Sequence, residues 1–154
     1  MLTTLLLSVV LTIQPAAPAP SPAEAVDPAG VMSLLEALPT ARSVAGDDSD
    51  RLGLARTEGM IVGWLRALGH EVRTQEVTWP RVDRDADGPY RGTNYWVDLE
   101  GATSPGEVIV VGAHFDAVDG TPGADDNGTG VVAALELARV LTGRAHERTV
   151  RIMF

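Results

Sequence analysis

The 154-residue chain has no cysteine and no lysine. Without cysteine there are no disulfides, no thiolate metal ligands and no cysteine nucleophile. Its twelve basic residues are all arginines, spread singly, against 21 acids, for a formal net charge of -9. That leaves no basic patch of the kind nucleic acid requires. Nor is there an apolar run of the roughly 20 residues a membrane-spanning helix needs. What remains, 45% apolar and 21% charged, is the composition of a globular domain long enough to bury a core.

The longest uncharged apolar stretch, Leu2 to Ile13, has the length of a signal-peptide core. The Pro/Ala-rich "QPAAPAPSPAEAVDPAG" follows it and reads as a cleavage region and extended linker, with small residues at Ala23 and Ala25 before a cut near Val26. Residues 1–25 are therefore expected to be signal and cleavage region, and 26–154 the folded part of an exported protein without stable membrane insertion.

Helical periodicity predicts a short helix from about Ala29 to Leu38. A longer one follows, capped by Asp50, with Leu52, Ala55, Ile61, Trp64, Leu65 and Leu68 largely on one face and Gly69 as its stop. Strands are expected in "EVRTQEVTW", "TNYWVDLEG", "EVIVVGAHFD" and "RTVRIMF". The unbroken run Val108–Val111 suggests a central strand covered on both faces. "GVVAALELARVLTG" is a helix, with Val131, Ala134, Leu135, Ala138 and Leu141 at helical spacing and Gly143 as its stop. The last strand, helix and strand form a right-handed parallel crossover, and ligands of such sheets bind beyond the carboxyl ends of the strands. His70 reads as a boundary residue and His146 as an exposed loop residue.

"GAHFDAVDGTPGADDNGTG" lies at that position, between the apolar strand and the helix. It concentrates aspartates around one histidine, and Gly120, Gly123, Gly128 and Gly130 let its backbone turn sharply. If extended geometry persists, His114 and Asp116 leave the same face, and Asp116 could orient the imidazole if the backbone curves toward the ring. Asp126, twelve residues on, can return to the same strand end. Imidazole and carboxylates without thiolates suit zinc or a similar divalent ion. The same aspartates could instead cap the following helix without any metal. Two further patterns carry less weight. "DRDADG" (Asp83 to Gly88) resembles the start of a calcium loop, but Asn94 stands where a bidentate glutamate belongs, so an acidic turn is favoured. The glycosylation pattern at Asn127 reads as accidental.

"VIVVGAHFDAVDGTPGADDNGTGVVAALELARVL" resembles the first half of the active site of peptidase family M28, the two-zinc secreted aminopeptidases. "RTEGMIVGWLRALGHEVRTQEV" and "GTNYWVDLEG" resemble the family's preceding elements, so the likeness runs from about Ser33 to Phe154. It implies a three-layer α/β/α fold with a mixed, largely parallel sheet of the zinc-exopeptidase kind. It also implies two zinc ions and peptide substrates. His114 would ligate one zinc, Asp126 would bridge both, Asp125 would not be a ligand, and Asp116 would be the partner of His114. The family often has a cis peptide after its bridging aspartate, here Asp126–Asn127. Its catalytic glutamate and further ligands come after the strand begun by "RTVRIMF" and are not in the sequence. The chain therefore reads as the N-terminal part of a truncated exopeptidase domain, inactive alone. A glutaminyl cyclase-like acyltransferase on the same fold and a non-catalytic binding domain are the alternatives.

Overall fold

The fold is described from a computed structural model covering residues 19–80 and 88–154. Most of the expected signal segment and the calcium-like positions 83–87 lie outside the described residues. In chain order the elements are α1 (Pro28–Ala37), α2 (Asp48–Ala67), β1 (Arg73–Trp79), β2 (Tyr90–Leu99), β3 (Ser104–Gly112), α3 (Thr129–Leu141) and β4 (Arg148–Met153). No helix among the described residues is long and apolar enough to cross a membrane.

The strands form one mixed sheet in the order β1-β2-β4-β3. β1–β2 and β2–β4 are antiparallel, and β3–β4 is the parallel pair of the crossover through α3. Register puts Val97 opposite Ile152 and Leu99 opposite Val150, all on one face. Ile61 and Leu65 of α2 and Val131, Ala134, Leu135 and Ala138 of α3 close over that face to form the core. Full burial of each large aliphatic side chain stabilises the fold by about 1.5–3 kcal/mol. The opposite face carries Trp96, Asp98 and Arg151. There the Asp98 carboxylate accepts from Arg151 Nε at 2.7 Å and Nη2 at 2.9 Å, and the guanidinium lies over the Trp96 ring.

Two local expectations need correction. The cap of α2 is Asp47, whose carboxylate accepts from the N–H groups of Ser49 and Asp50. Asp50 is buried instead, and its Oδ1 accepts from Ser43 N–H at 2.7 Å. Of three nearby acids any can cap; which one does depends on the segment that folds back over the helix. Leu52, expected on the apolar face, is exposed.

The second correction concerns β3. It is an edge strand of the described sheet, with β4 as its one neighbour. Val108, Ile109 and Val110 are all exposed, Val110 at 57%. An apolar run reports a preference for burial and does not say how many strands flank it.

Residues before α1 pack on α3. The carbonyl of Ala25 accepts from Arg139 Nη2 at 2.6 Å, and that of Pro20 accepts from Arg144 Nη1 at 2.7 Å. Asp27 N–H donates to buried Glu136 at 2.6 Å. α3 is therefore covered on two sides: by the sheet and by this N-terminal segment with α1.

Candidate functional site

β3 ends at Gly112, so strand alternation does not extend to His114 and Asp116. They belong to the loop that leaves the carboxyl ends of the parallel strands, where Ala113 N–H donates to Met153 O at 3.0 Å. The curve of this loop, and not a shared strand face, brings the two residues together.

The imidazole of His114 sits between two aspartates. Its Nδ1 is 3.2 Å from both the backbone oxygen and Oδ1 of Asp116. Its Nε2 is 2.9 Å from Oδ1 of Asp126. All three side chains reach solvent, Asp126 at 82%. Asp125 is also exposed and is not part of this contact.

The N-cap of α3 is Gly128, and no side chain caps the helix. The Asp126 carboxylate turns back to His114 instead of toward the helix N–H groups. The Asp126–Asn127 peptide is cis, as the family resemblance implies.

A residue without any spacing signal anchors this loop. Arg42, in the segment between α1 and α2, is 2% exposed. Its Nε donates to Phe115 O at 2.9 Å, Nη1 to Pro122 O at 3.1 Å and to Pro39 O, and Nη2 to Gly123 O at 2.8 Å. Its own carbonyl accepts from Ala117 N–H at 3.1 Å. Burial lowers the guanidinium pKa from its ordinary value, while the charge of Asp116 opposes that shift. In sequence it is one arginine among small residues, "TARSVAG".

Beside His114 opens a cavity of about 220 Å³, lined by the apolar Leu54, Trp79, Phe115 and Phe154 and the polar Glu58, Arg91, Asn94 and Asp116. Tyr95 packs against Phe115 with ring centroids 6.2 Å apart. Burial, and then the nearby Glu58 carboxylate, push the Tyr95 phenol above its ordinary pKa. Glu58 was missed from sequence because it falls on a helix whose surface carries several other charges.

The other histidines lie elsewhere. His70 Nε2 is 2.8 Å from the Thr142 hydroxyl, tying the end of α2 to the end of α3. His146, expected to be exposed, is half-buried, and its carbonyl accepts from Ala102 N–H at 2.8 Å. β4 holds that turn in place, which its polar sequence does not reveal.

The donors of the loop fit a zinc ion in kind. Zinc bonds of about 2.0–2.2 Å place two tetrahedral donors about 3.3 Å apart, close to the 2.9 Å between His114 Nε2 and Asp126 Oδ1. They do not make a complete cage. Among the described residues, no group of three or more His, Cys, Asp or Glu side chains could hold a metal ion.

The mixed sheet with helices packed on it is a zinc exopeptidase-like fold. The family model for Peptidase family M28 matches residues 94–154 of this chain. The chain is 29% identical over 119 residues to a probable leucine aminopeptidase 2 of Aspergillus oryzae, across 73% of this chain and 24% of that protein. Among solved structures, glutaminyl cyclase from an Acidobacteriales bacterium superposes with a TM-score of 0.69 at 20% identity, covering 94% of this chain and 48% of that one. The zinc aminopeptidase BSAP of Bacillus subtilis superposes with a TM-score of 0.61 at 13% identity, covering 80% and 59%. At these identities the two structures speak for the fold. The chain spans about a quarter of the fungal relative and about half of each solved chain.

Proposed function

We propose that this chain is the N-terminal part of the catalytic domain of an exported, zinc-dependent aminopeptidase that removes N-terminal residues from peptides. The observation that carries the reading is the His114–Asp126 contact, made across twelve residues at the carboxyl end of the sheet. The match to the Peptidase family M28 model over residues 94–154 and the likeness to an aminopeptidase support it.

In this reading His114 holds one zinc through Nε2. Its Nδ1–H is donated to Asp116, which keeps the proton off the metal-facing nitrogen and fixes the ring's aim. Asp126 would supply the carboxylate that holds the metal beside His114, and Asp125 would supply none. Bound zinc would contribute Lewis acidity and a water of lowered pKa. The cavity lined by Trp79, Leu54 and Phe115 adjoins His114 and offers part of the peptide an apolar surface. These residues supply one histidine and one bridging aspartate where a catalytic zinc usually has three protein ligands. The chain alone is therefore expected to bind zinc weakly and to turn nothing over.

A glutaminyl cyclase-like acyl transfer on the same fold is the second reading, supported by the superposition on such a cyclase. The test compares this chain with a form extended by the downstream ligands the family resemblance implies. Each is titrated with zinc and assayed on an aminoacyl chromogenic amide and on a peptide with N-terminal glutamine. Amide hydrolysis confined to the extended form supports the aminopeptidase. Cyclisation alone supports the second reading. Tight, stoichiometric zinc and turnover by the short chain would overturn the account of its ligands. N-terminal sequencing of exported material tests the leader: a start near Val26 supports it, and intact Met1 in the cytosol counts against it.

A further inference from the structure

We propose that Arg42 is a positioning residue, which holds the loop from His114 to Asp126 in the geometry that brings its two ends together. This rests on the reading of His114 and Asp126 as metal-holding residues. A buried guanidinium must find partners for its five N–H groups. Arg42 finds them in backbone carbonyls, and three of these, from Phe115, Pro122 and Gly123, belong to the loop. They sit on both sides of the loop's turn, one directly after His114 and two shortly before Asp126. One planar group thus fixes the separation between the loop's outgoing and returning limbs. The carbonyl of Arg42 adds a fourth tie to the loop, from Ala117 N–H.

The segment carrying Arg42 is itself fastened to α2. Ser43 N–H donates to buried Asp50, and the Ala41 carbonyl packs so closely on Gly53 that a Cβ there would collide with it. Arg42 therefore links the core helix α2 to a loop whose turn, residues 118–122, is exposed. Lysine could not replace it, because one ammonium group cannot reach carbonyls on both limbs in the planar, forked arrangement of a guanidinium.

The test uses the full chain, labelled with nitrogen-15, and the variants Arg42→Lys, Arg42→Ala and Arg139→Ala. The last removes another arginine that binds a backbone carbonyl, on α3. The first readout is amide exchange at Ala117 and Gly128, whose N–H groups close this loop. In Arg42→Lys both should exchange about tenfold faster or more, while amides of α3 and β4 stay protected. Millimolar guanidinium chloride, well below denaturing concentrations, should restore part of the protection in Arg42→Ala but not in Arg139→Ala. The second readout is cobalt(II) affinity, which should fall by about 10–100-fold in Arg42→Lys and stay near the parent value in Arg139→Ala. Unchanged loop protection in both Arg42 variants would overturn the proposal. So would an equal loss throughout α3 and β4, or a freed loop that binds cobalt(II) as tightly as the parent chain. If the parent takes up no cobalt(II), as its incomplete ligand set allows, amide exchange alone decides the role of Arg42, and the metal reading is judged on the extended form.

Discussion

Gly123 and Arg42 are locked together: the glycine's carbonyl accepts from guanidinium Nη2 at 2.8 Å, and its φ is +55°. A Cβ at this position would stand 2.5 Å from the Ala117 Cβ and 2.8 Å from the guanidinium nitrogen. Gly123→Ala therefore combines an unfavourable backbone conformation with overpacking, and we expect a loss of about 2–4 kcal/mol. Urea denaturation would check this. A loss under about 0.5 kcal/mol, typical of a bland surface site, would mean that the loop is looser than described.

Asp125 and Asp126 are neighbours with different surroundings, and substitution should separate them. Asp126→Asn replaces a carboxylate beside His114 with an amide, which in the proposed reading lacks the charge needed to share two cations. Zinc affinity in the ligand-complete form should drop by about 100-fold or more, against less than about threefold for Asp125→Asn. Calorimetric titration would measure both, and equal losses would assign the wrong aspartate.

Glu136 joins the N-terminal segment to α3, accepting from Asp27 N–H and twice from Arg139. The hydrogen bonds from Arg139 hold its pKa below the ordinary 4.5, although burial pulls the other way. A depressed folded pKa means that the carboxylate's contribution is complete above about pH 4.5 and is lost as pH falls through the lower folded value. Glu136→Gln should cost about 1–3 kcal/mol at pH 7 and flatten the acid side of the thermal-midpoint profile. An acid limb of unchanged steepness would show that other carboxylates govern it.

The outer edge of β3 exposes Val108, Ile109 and Val110 with no charge among them, the pattern that promotes edge-to-edge association. Val110 shares a face with Arg151, away from the helices. Val110→Lys should reduce self-association while changing stability by less than about 0.5 kcal/mol. Light scattering at matched concentrations would reveal the difference. Equal association by parent and variant would place the sticky surface elsewhere.

The sequence by itself determined the elements and the neighbourhood of the site. Local periodicity was enough to locate α1, α2, α3 and the four strands, because each must present an apolar face at its own repeat. The strand, glycine-rich loop and helix around His114 pointed to the candidate residues His114, Asp116 and Asp126 and carried the family resemblance. What only the tertiary structure decided depends on contacts between distant segments. In the described sheet it gave β3 one neighbour, β4, because strand order follows from where β4 inserts and not from how apolar β3 is. It gave the cap of α2 to Asp47 and turned Asp50 toward Ser43. It brought Asp126 to the imidazole instead of to the start of α3. And it set Arg42 beneath the loop: a buried cation is defined by the carbonyls around it, which the fold collects from positions 39, 115, 122 and 123 and which no local pattern announces.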